Sequence, residues 1–290
     1  MTDQDHVLTE KDLAQWLEKT QHQNDTLTIS PATAMAATLD RQLLQFSNGD
    51  SLPNLWHWLY FLKPNRLSQL AADGHPEKGD FLPPISLPRR MWASSRLRFH
   101  QPLSLGQAAS KKSTIKNIQF KQGRSGKLAF VCVAHEISNA RGLAITEEQD
   151  LVYRGAALAS APAPSALNRF QSADFELTVT PDPVLLFRYS ALTLNAHRIH
   201  YDRDYATAVE GYPALVVHGP LLATFMMELV AREMPDRAVL SFEFRAVQPV
   251  FDGPAILICG RLPDEAGRCL LRVENAAGEV CMLGEVVLEN

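Results

Sequence analysis

Cysteine is scarce in this 290-residue chain: four residues, Cys132, Cys259, Cys269 and Cys281, stand far apart with no Cys-x-x-Cys spacing. Neither a zinc knuckle nor a redox pair is indicated, and reduced thiols in a core are the default for such residues. No apolar run is long enough to span a bilayer, and the first residues lack the basic start and apolar stretch of a signal peptide. An excess of basic residues is also missing. Lys and Arg number 28 against 32 Asp and Glu, giving a net charge of −4 and a pI near 6.1. A general nucleic-acid binder needs a basic face to neutralise phosphates, so that class is disfavoured. The expectation is a soluble cytoplasmic protein, 46% hydrophobic and only 21% charged, with apolar residues enough for a core or two.

What is present concentrates between Phe187 and Leu229. The aromatic, β-branched and aliphatic mixture of Phe187 to Leu194 predicts a strand ending at Asn195, with His197 and His200 on the turn beyond it. Tyr205 to Ala208 predicts a short helix, ended near Gly211 and Pro213. His218-Gly219-Pro220 then opens a helix that is apolar on every side. Leu221, Leu222, Phe225, Met226, Leu229 and Val230 lie in it, with Glu228 as the only charge before Arg232. Such a helix must be wrapped completely. Proline suits the first helical position because its missing N–H would have no partner there. Gly219 leaves the unpaired amides at that end bare, and they favour negative charge, including charge that develops on a reacting carbonyl oxygen.

Elsewhere the pattern is mixed. Thr9 to Thr20 reads as a short amphipathic helix capped by Thr9, with Leu13, Trp16 and Leu17 on one face. A second helix starts at Ser30-Pro31 and runs to Leu39, and Leu55 to Leu62 reads as an aromatic strand. The Gly/Pro-rich loop from Pro64 to Pro88 is of a length more often functional than idle. Arg89 to His100 and three further strands, broken at Gln122 to Gly126 and at Asn139 to Gly142, form an antiparallel meander. Ala159 to Ser165 is a small, Pro-rich linker, and the second half repeats the plan: strand, turn, helix, then strands at Val239–Phe251, Ala255–Leu262, Cys269–Asn275 and Val280–Leu288.

The cluster Asn195-x-His197-x-x-His200, with Asp202 following, resembles the Asp-x-Asn-Pro-x-His motif of the hotdog-fold hydratases and dehydratases of acyl thioesters, the MaoC-like group. Asn195 stands where that Asp stands, His197 where its Asn stands, His200 on its His and Asp202 on a later Asp. LTLNAHRIHYD and VVHGPL are similar to the type-two 3-hydroxyacyl-thioester dehydratases and the related mesaconyl-CoA and itaconyl-CoA hydratases. So are LPNLWHWLYFL, GHP, FLPPISLPRRMWASSRLRF and EEQDLVYR in the front half. The resemblance implies an α+β double hotdog, two antiparallel sheets each wrapped around a central helix. A degenerate domain would span 1–158 and a catalytic one 166–290, with one active site per chain. It also implies a hydro-lyase that adds water to a short unsaturated acyl-CoA, itaconyl-CoA or mesaconyl-CoA giving citramalyl-CoA. No cofactor or metal and no nucleic-acid or membrane partner is implied, and a homodimer is compatible. A 3-hydroxyacyl-thioester dehydratase of fatty-acid synthesis, working on CoA or carrier protein, is the alternative within that chemistry. A non-catalytic acyl-CoA-binding subunit is the alternative outside it.

Adding water to an enoyl thioester needs a proton acceptor, a proton donor and help for the enolate-like oxygen. His200 changes charge near neutral pH and suits the acid/base role. Asn195 cannot take a proton, so it orients water or substrate. Either His200 then handles both proton transfers, or another group joins. The Gly219 amide is the natural oxyanion donor. His197 and His218 are candidate substrate contacts, although histidines beside turns are more often structural. Arg198, Arg89 and Arg90, with Trp92 beside them, are candidates to hold a CoA phosphate or substrate carboxylate, solvated surface charge being the usual alternative. Lys111, Lys112, Lys116, Lys121, Arg124 and Lys127 form a basic stretch, either the wet face of a sheet or a contact for an acidic carrier or the CoA nucleotide. For zinc the histidine spacing offers two ligands, but no acidic or Cys partner at a recognised offset.

Overall fold

The structure is a computed structural model, in which residues 10–42, 45–123, 126–155 and 172–289 are described. The first half opens with α1 (Glu10–Leu13), a 3₁₀ turn at Ala14–Trp16, β1 (Thr20–Thr26) and α2 (Ile29–Thr38). Four strands follow: β2 (Arg89–Phe99), β3 (Ala108–Gly123), β4 (Gly126–Asn139) and β5 (Gly142–Arg154). The second half contains β6 (Phe175–Val179), α3 (Pro183–Leu192) and α4 (Gly219–Glu233). After them come β7 (Val239–Ala246), β8 (Ile256–Gly260), β9 (Arg268–Glu274) and β10 (Val280–Leu288).

All ten strands join one antiparallel sheet in the order β1-β3-β4-β5-β2-β7-β10-β9-β8-β6. Counted from its own outer edge, each half has its strands in the same relative order, first, third, fourth, fifth, second. The repeat of plan is therefore a repeat of topology. The two expected sheets meet edge to edge where β2 pairs β7, from Ser94↔Arg245 to Arg98↔Ser241. Alternation sets which face is buried: in β4, Ala129, Val131 and Val133 are buried while Leu128, Phe130 and Cys132 are only half-buried.

The apolar helix is wrapped as its composition requires. Nine residues of α4 are buried, Leu221, Phe225, Met226 and Leu229 among them, against strands of both halves of the sheet. Each large apolar side chain so buried contributes roughly 1.5–3 kcal/mol. Its one interior charge is paired: Glu228 accepts two hydrogen bonds from Arg41, at 2.5 and 2.6 Å, and one from Trp56. In the first half the buried polar centre is Glu147, whose carboxylate accepts from Ser95 Oγ at 2.8 Å and Trp58 Nε1 at 3.1 Å and lies 3.2 Å from His57 Nε2. No helix among the described residues is long and apolar enough to cross a membrane.

Several expectations are corrected. Phe187 to Leu194 is not a strand: Asp182 caps the N-terminus of α3 by accepting from the Leu185 amide at 2.7 Å, and Pro183 occupies its first turn. That helix buries Leu186, Tyr189 and Ser190, a helical spacing. Leu55 to Leu62 is a 3₁₀ turn, Trp56–Leu59, because Leu55 and Phe61 both take left-handed backbone conformations that no strand accommodates. The first helix ends by Trp16, and β1 begins at Thr20 in a polar run that alternates half-buried and exposed. The second starts one residue before Ser30, at Ile29. Within the basic stretch Lys112 pairs with Glu136, and the Lys111 ammonium lies 5.3 Å from the Phe61 ring centre. Thr9, Arg124, Ser125 and the linker from Ala159 to Ser165 lie outside the described residues.

Candidate active site

A cavity of about 640 Å³ lies where the start of α4, the segment after α3 and strand β2 converge, with Asn195, His197, His200, His218, Gly219 and Arg90 on its wall. The chain turns into it at Leu194, which has φ 50°. The Asn195 side-chain oxygen accepts from the His197 amide at 3.1 Å, an arrangement that fixes the orientation of the carboxamide and leaves its NH₂ as the available donor.

His200 sits on the 3₁₀ turn Arg198–His200 and is 8% exposed. Its Nδ1 lies 2.7 Å from the Val216 carbonyl oxygen, so Nδ1 carries the proton and Nε2 keeps its lone pair. Burial pulls the pKa of His200 down to about 4, with the Val216 hydrogen bond opposing. At neutral pH the ring is an uncharged proton acceptor. Stacked on it at 3.7 Å is His218, which is 1% exposed and whose Nε2 is 2.8 Å from Ser190 Oγ. Burial, then the neighbouring His200 and His197, hold His218 well below its ordinary range. Its backbone caps α4. At Gly219 a Cβ would meet only the Trp92 carbonyl oxygen at 3.6 Å and Met282 Cε at 3.9 Å. Crowding does not demand glycine here; what glycine supplies is an uncovered amide at the positive end of a helix.

Two residues to which the sequence assigned no role complete the cluster, although His75 stands in the GHP segment that carries part of the resemblance. Asp73 and His75 come from the long loop between Pro64 and Pro88, which is pressed onto the 195–198 segment. The Arg198 amide donates to the Asp73 carbonyl at 2.9 Å, and Arg198 Nη1 donates to the Ala72 carbonyl at 3.1 Å. Gly74 has φ +91°, and a Cβ there would fall 1.8 Å from the Ala196 carbonyl oxygen. His75 Nδ1 is 3.0 Å from Asp73 Oδ2, its ring is 4.1 Å from the His197 ring, and His197 is 5.5 Å from His200. Burial is the largest single influence and weighs against the Asp73 charge, but the hydrogen bonds and charge of His75, with the His197 charge, together outweigh it and hold the carboxyl well below the usual range. Burial lowers His75, with Asp73 opposing, and lowers His197 to about 2, with the His75 and His200 charges adding to the shift. The loop's length marked it as functional. Its partners across the chain are set by tertiary packing.

Asp73, His75 and His197 each offer one ligand atom within 4.8 Å of the others, so Asp73 is the acidic neighbour that sequence spacing did not reveal for a metal ion. In this structure the Asp73 carboxylate is already engaged by the His75 ring and amide.

The three candidate arginines separate. Arg198 pairs with Asp202 at 2.8 Å and stacks 4.1 Å over the Tyr205 ring, so it clamps the loop instead of lining the cavity. Arg89 pairs with Glu210 at 2.8 Å and lies over the Tyr212 ring, also off the cavity wall. Arg90 alone of the three lines the cavity, and it makes no ion pair among the described residues. Trp92 gives its indole N–H to Ser95 Oγ at 2.9 Å. Trp92 lines both the main cavity and a smaller one of about 290 Å³ that shares Gln149, Asn195 and Pro220 as wall.

Comparison with known proteins identifies the family and the fold. The sequence pattern of the family described as hydroxyacyl-thioester dehydratase type 2 matches residues 55–252. A mesaconyl-C(4)-CoA hydratase of Chloroflexus aurantiacus is 50% identical over 246 residues, 84% of this chain and 87% of that protein. The crystal structure of a MaoC-like dehydratase from Phytophthora capsici superposes with a TM-score of 0.69 at 17% identity, covering 98% of this chain and 99% of that one. A Mycobacterium tuberculosis protein described as a double hotdog gives a TM-score of 0.58 at 16% identity, covering 94% and 96%. The fold is therefore the α+β double hotdog, and the chain belongs to the type 2 hydroxyacyl-thioester dehydratase family of hydro-lyases.

Proposed function

We propose that the chain hydrates a short, unsaturated dicarboxylic acyl-CoA, with mesaconyl-CoA as the leading substrate and citramalyl-CoA as product, and that the second half of the chain supplies most of its catalytic groups. One observation carries the reading: the lone pair of His200 Nε2 and the bare Gly219 amide border one cavity, which puts a proton acceptor and an oxyanion donor on the same wall. His200 takes a proton from water as the water oxygen bonds to the β-carbon. The π electrons move onto the thioester oxygen, where the Gly219 amide and the dipole of α4 meet the developing charge. The Asn195 NH₂ orients water or the thioester. A proton delivered to the α-carbon completes the product. The name of the Chloroflexus relative supports the substrate choice, and so does Arg90. A largely apolar pocket rejects a carboxylate unless a cation meets it, and Arg90 is the candidate left without a carboxylate of its own.

The test is a hydration assay with mesaconyl-CoA, itaconyl-CoA and crotonyl-CoA on wild type and Arg90→Met. The wild type is expected to favour a dicarboxylic substrate. Arg90→Met is expected to lower kcat/KM for that substrate by about 10²-fold or more, since removing one partner of a buried pair costs about 3–5 kcal/mol, while sparing crotonyl-CoA. Equal loss on both substrates would assign Arg90 to the CoA phosphates. A wild type that prefers crotonyl-CoA would count against the dicarboxylate reading.

A further inference from the structure

We propose that His75, oriented by Asp73, is the second proton-transfer group of this active site and donates the proton that reaches the α-carbon. The inference rests on the hydratase reading and deepens it. A reaction that takes a proton from water at one atom and places one on carbon at another is served by two groups, and the amide of Asn195 can be neither. His75 lines the cavity that holds His200. Its Nδ1–H points to Asp73 Oδ2 at 3.0 Å, which leaves Nε2 as the nitrogen free to exchange a proton with a substrate.

The charge arrangement distinguishes His75 from the other three rings. The charged and titratable groups that face His75 are Asp73, Arg90, Lys78 and His197, with His200 beyond. Asp73 is the one carboxylate among the groups facing the four histidines. Burial, Arg90 and Lys78 hold His75 below its ordinary range, but it is the one ring of the four that is hydrogen-bonded to a carboxylate, and Asp73 offsets part of that cost as the aspartate of an Asp-His pair does for an imidazolium. His200, hydrogen-bonded only to a neutral carbonyl, is suited to the opposite task of accepting. The position of the loop is also specified. The Arg198 amide and guanidinium bind two of its carbonyls, and Gly74 permits a contact with Ala196 that any side chain would block.

The proton count closes. In hydration His200 Nε2 gains the water proton, the oxygen bonds to the β-carbon, and the electron pair of the double bond passes through the enolate. His75 Nε2 then loses its proton to the α-carbon. Return of the proton from His200 to His75 restores both rings, with no oxidant, reductant or metal consumed.

The experiment uses the full chain with mesaconyl-CoA and the variants His75→Gln and Asp73→Asn, recording kcat, KM and the pH profile of kcat. Metal content and the effect of EDTA are measured on the wild type. For His75→Gln we expect kcat to fall by about 10²–10⁴-fold with KM little changed, and the alkaline limb of the profile to disappear. Asp73→Asn removes the carboxylate that favours the imidazolium, so the alkaline limb moves to lower pH. A purely structural role for Asp73 would lower activity without moving that limb. Failure of the wild type to hydrate any of the three thioesters overturns the hydratase reading together with this one. A competent wild type whose His75→Gln variant keeps near-native kcat and both limbs overturns the His75 assignment alone. Stoichiometric metal, with activity abolished by EDTA and restored by zinc, also overturns it and assigns Asp73, His75 and His197 to an ion.

Discussion

At the scale of single residues, the protonation state of His200 is decided by a backbone oxygen. The Asn-x-His-x-x-His pattern already pointed to this ring, because the chemistry needs a group that titrates near neutrality. What the pattern could not contain is the Val216 carbonyl at 2.7 Å, which fixes the tautomer, or the burial that keeps the ring neutral. Glutamine at this position can still donate to Val216 yet cannot accept and return a proton. His200→Gln should therefore lose about 10²–10⁴-fold in kcat while melting close to wild type. Near-native turnover in a folded variant would move the acceptor elsewhere. The arginines make the converse point. Three looked alike in the sequence, and only their carboxylate partners, Asp202 for Arg198, Glu210 for Arg89 and no ion pair among the described residues for Arg90, separate clamps from a candidate ligand group.

Among the elements, legibility followed how local each signal was. The helix α4 was readable because Gly-Pro starts it and Glu228 is the only charge before Arg232. The helix α3 was missed because aromatic and aliphatic residues suggested a strand, although Asp182-Pro183, a strong local start signal, stood just upstream. Strand β1 escaped because TQHQNDT has no apolar alternation; it is held by its pairing with β3. The long loop is the extreme case. Its length hinted at function, but the residues that matter meet the motif only through tertiary contacts more than a hundred residues along the chain, backbone to backbone at Arg198 and ring to ring at His197. Gly74 gives a direct test. Alanine there must accept φ near +91° and displace the Ala196 carbonyl, a combined strain of order 1–3 kcal/mol. The loop should then lift from the 195–198 segment, so Gly74→Ala is expected to cut kcat at least about tenfold while lowering stability only modestly. Unchanged kinetics in that variant would mean that the loop need not touch the motif for turnover.

For the whole molecule, the continuous sheet ties histidines from both halves to one stability. The second half holds His197, His200 and His218, and the first half holds His75 and His135, the last with Nδ1 2.8 Å from Ser113 Oγ. Burial lowers the pKa of all five. In the unfolded chain they titrate near 6.5. Below that pH the unfolded state takes up protons that the folded state refuses, so stability present at pH 7 is lost as the pH falls toward the folded values. His200 alone, displaced to about 4, accounts for roughly 3 kcal/mol of this loss once the pH reaches its folded value. Asp73 and Glu147 are held below the ordinary carboxylate range, so their contribution persists until the pH drops further, and the window from about 6.5 to 4 belongs to the histidines. Urea midpoints measured at pH 7.5, 6 and 5 should fall steadily, and His200→Gln should make the decline shallower. Because the seam between β2 and β7 carries five paired positions in a single sheet, both halves should unfold in one transition at each pH. A midpoint that stays level across this range would show that the buried rings take up their protons as readily in the fold as outside it.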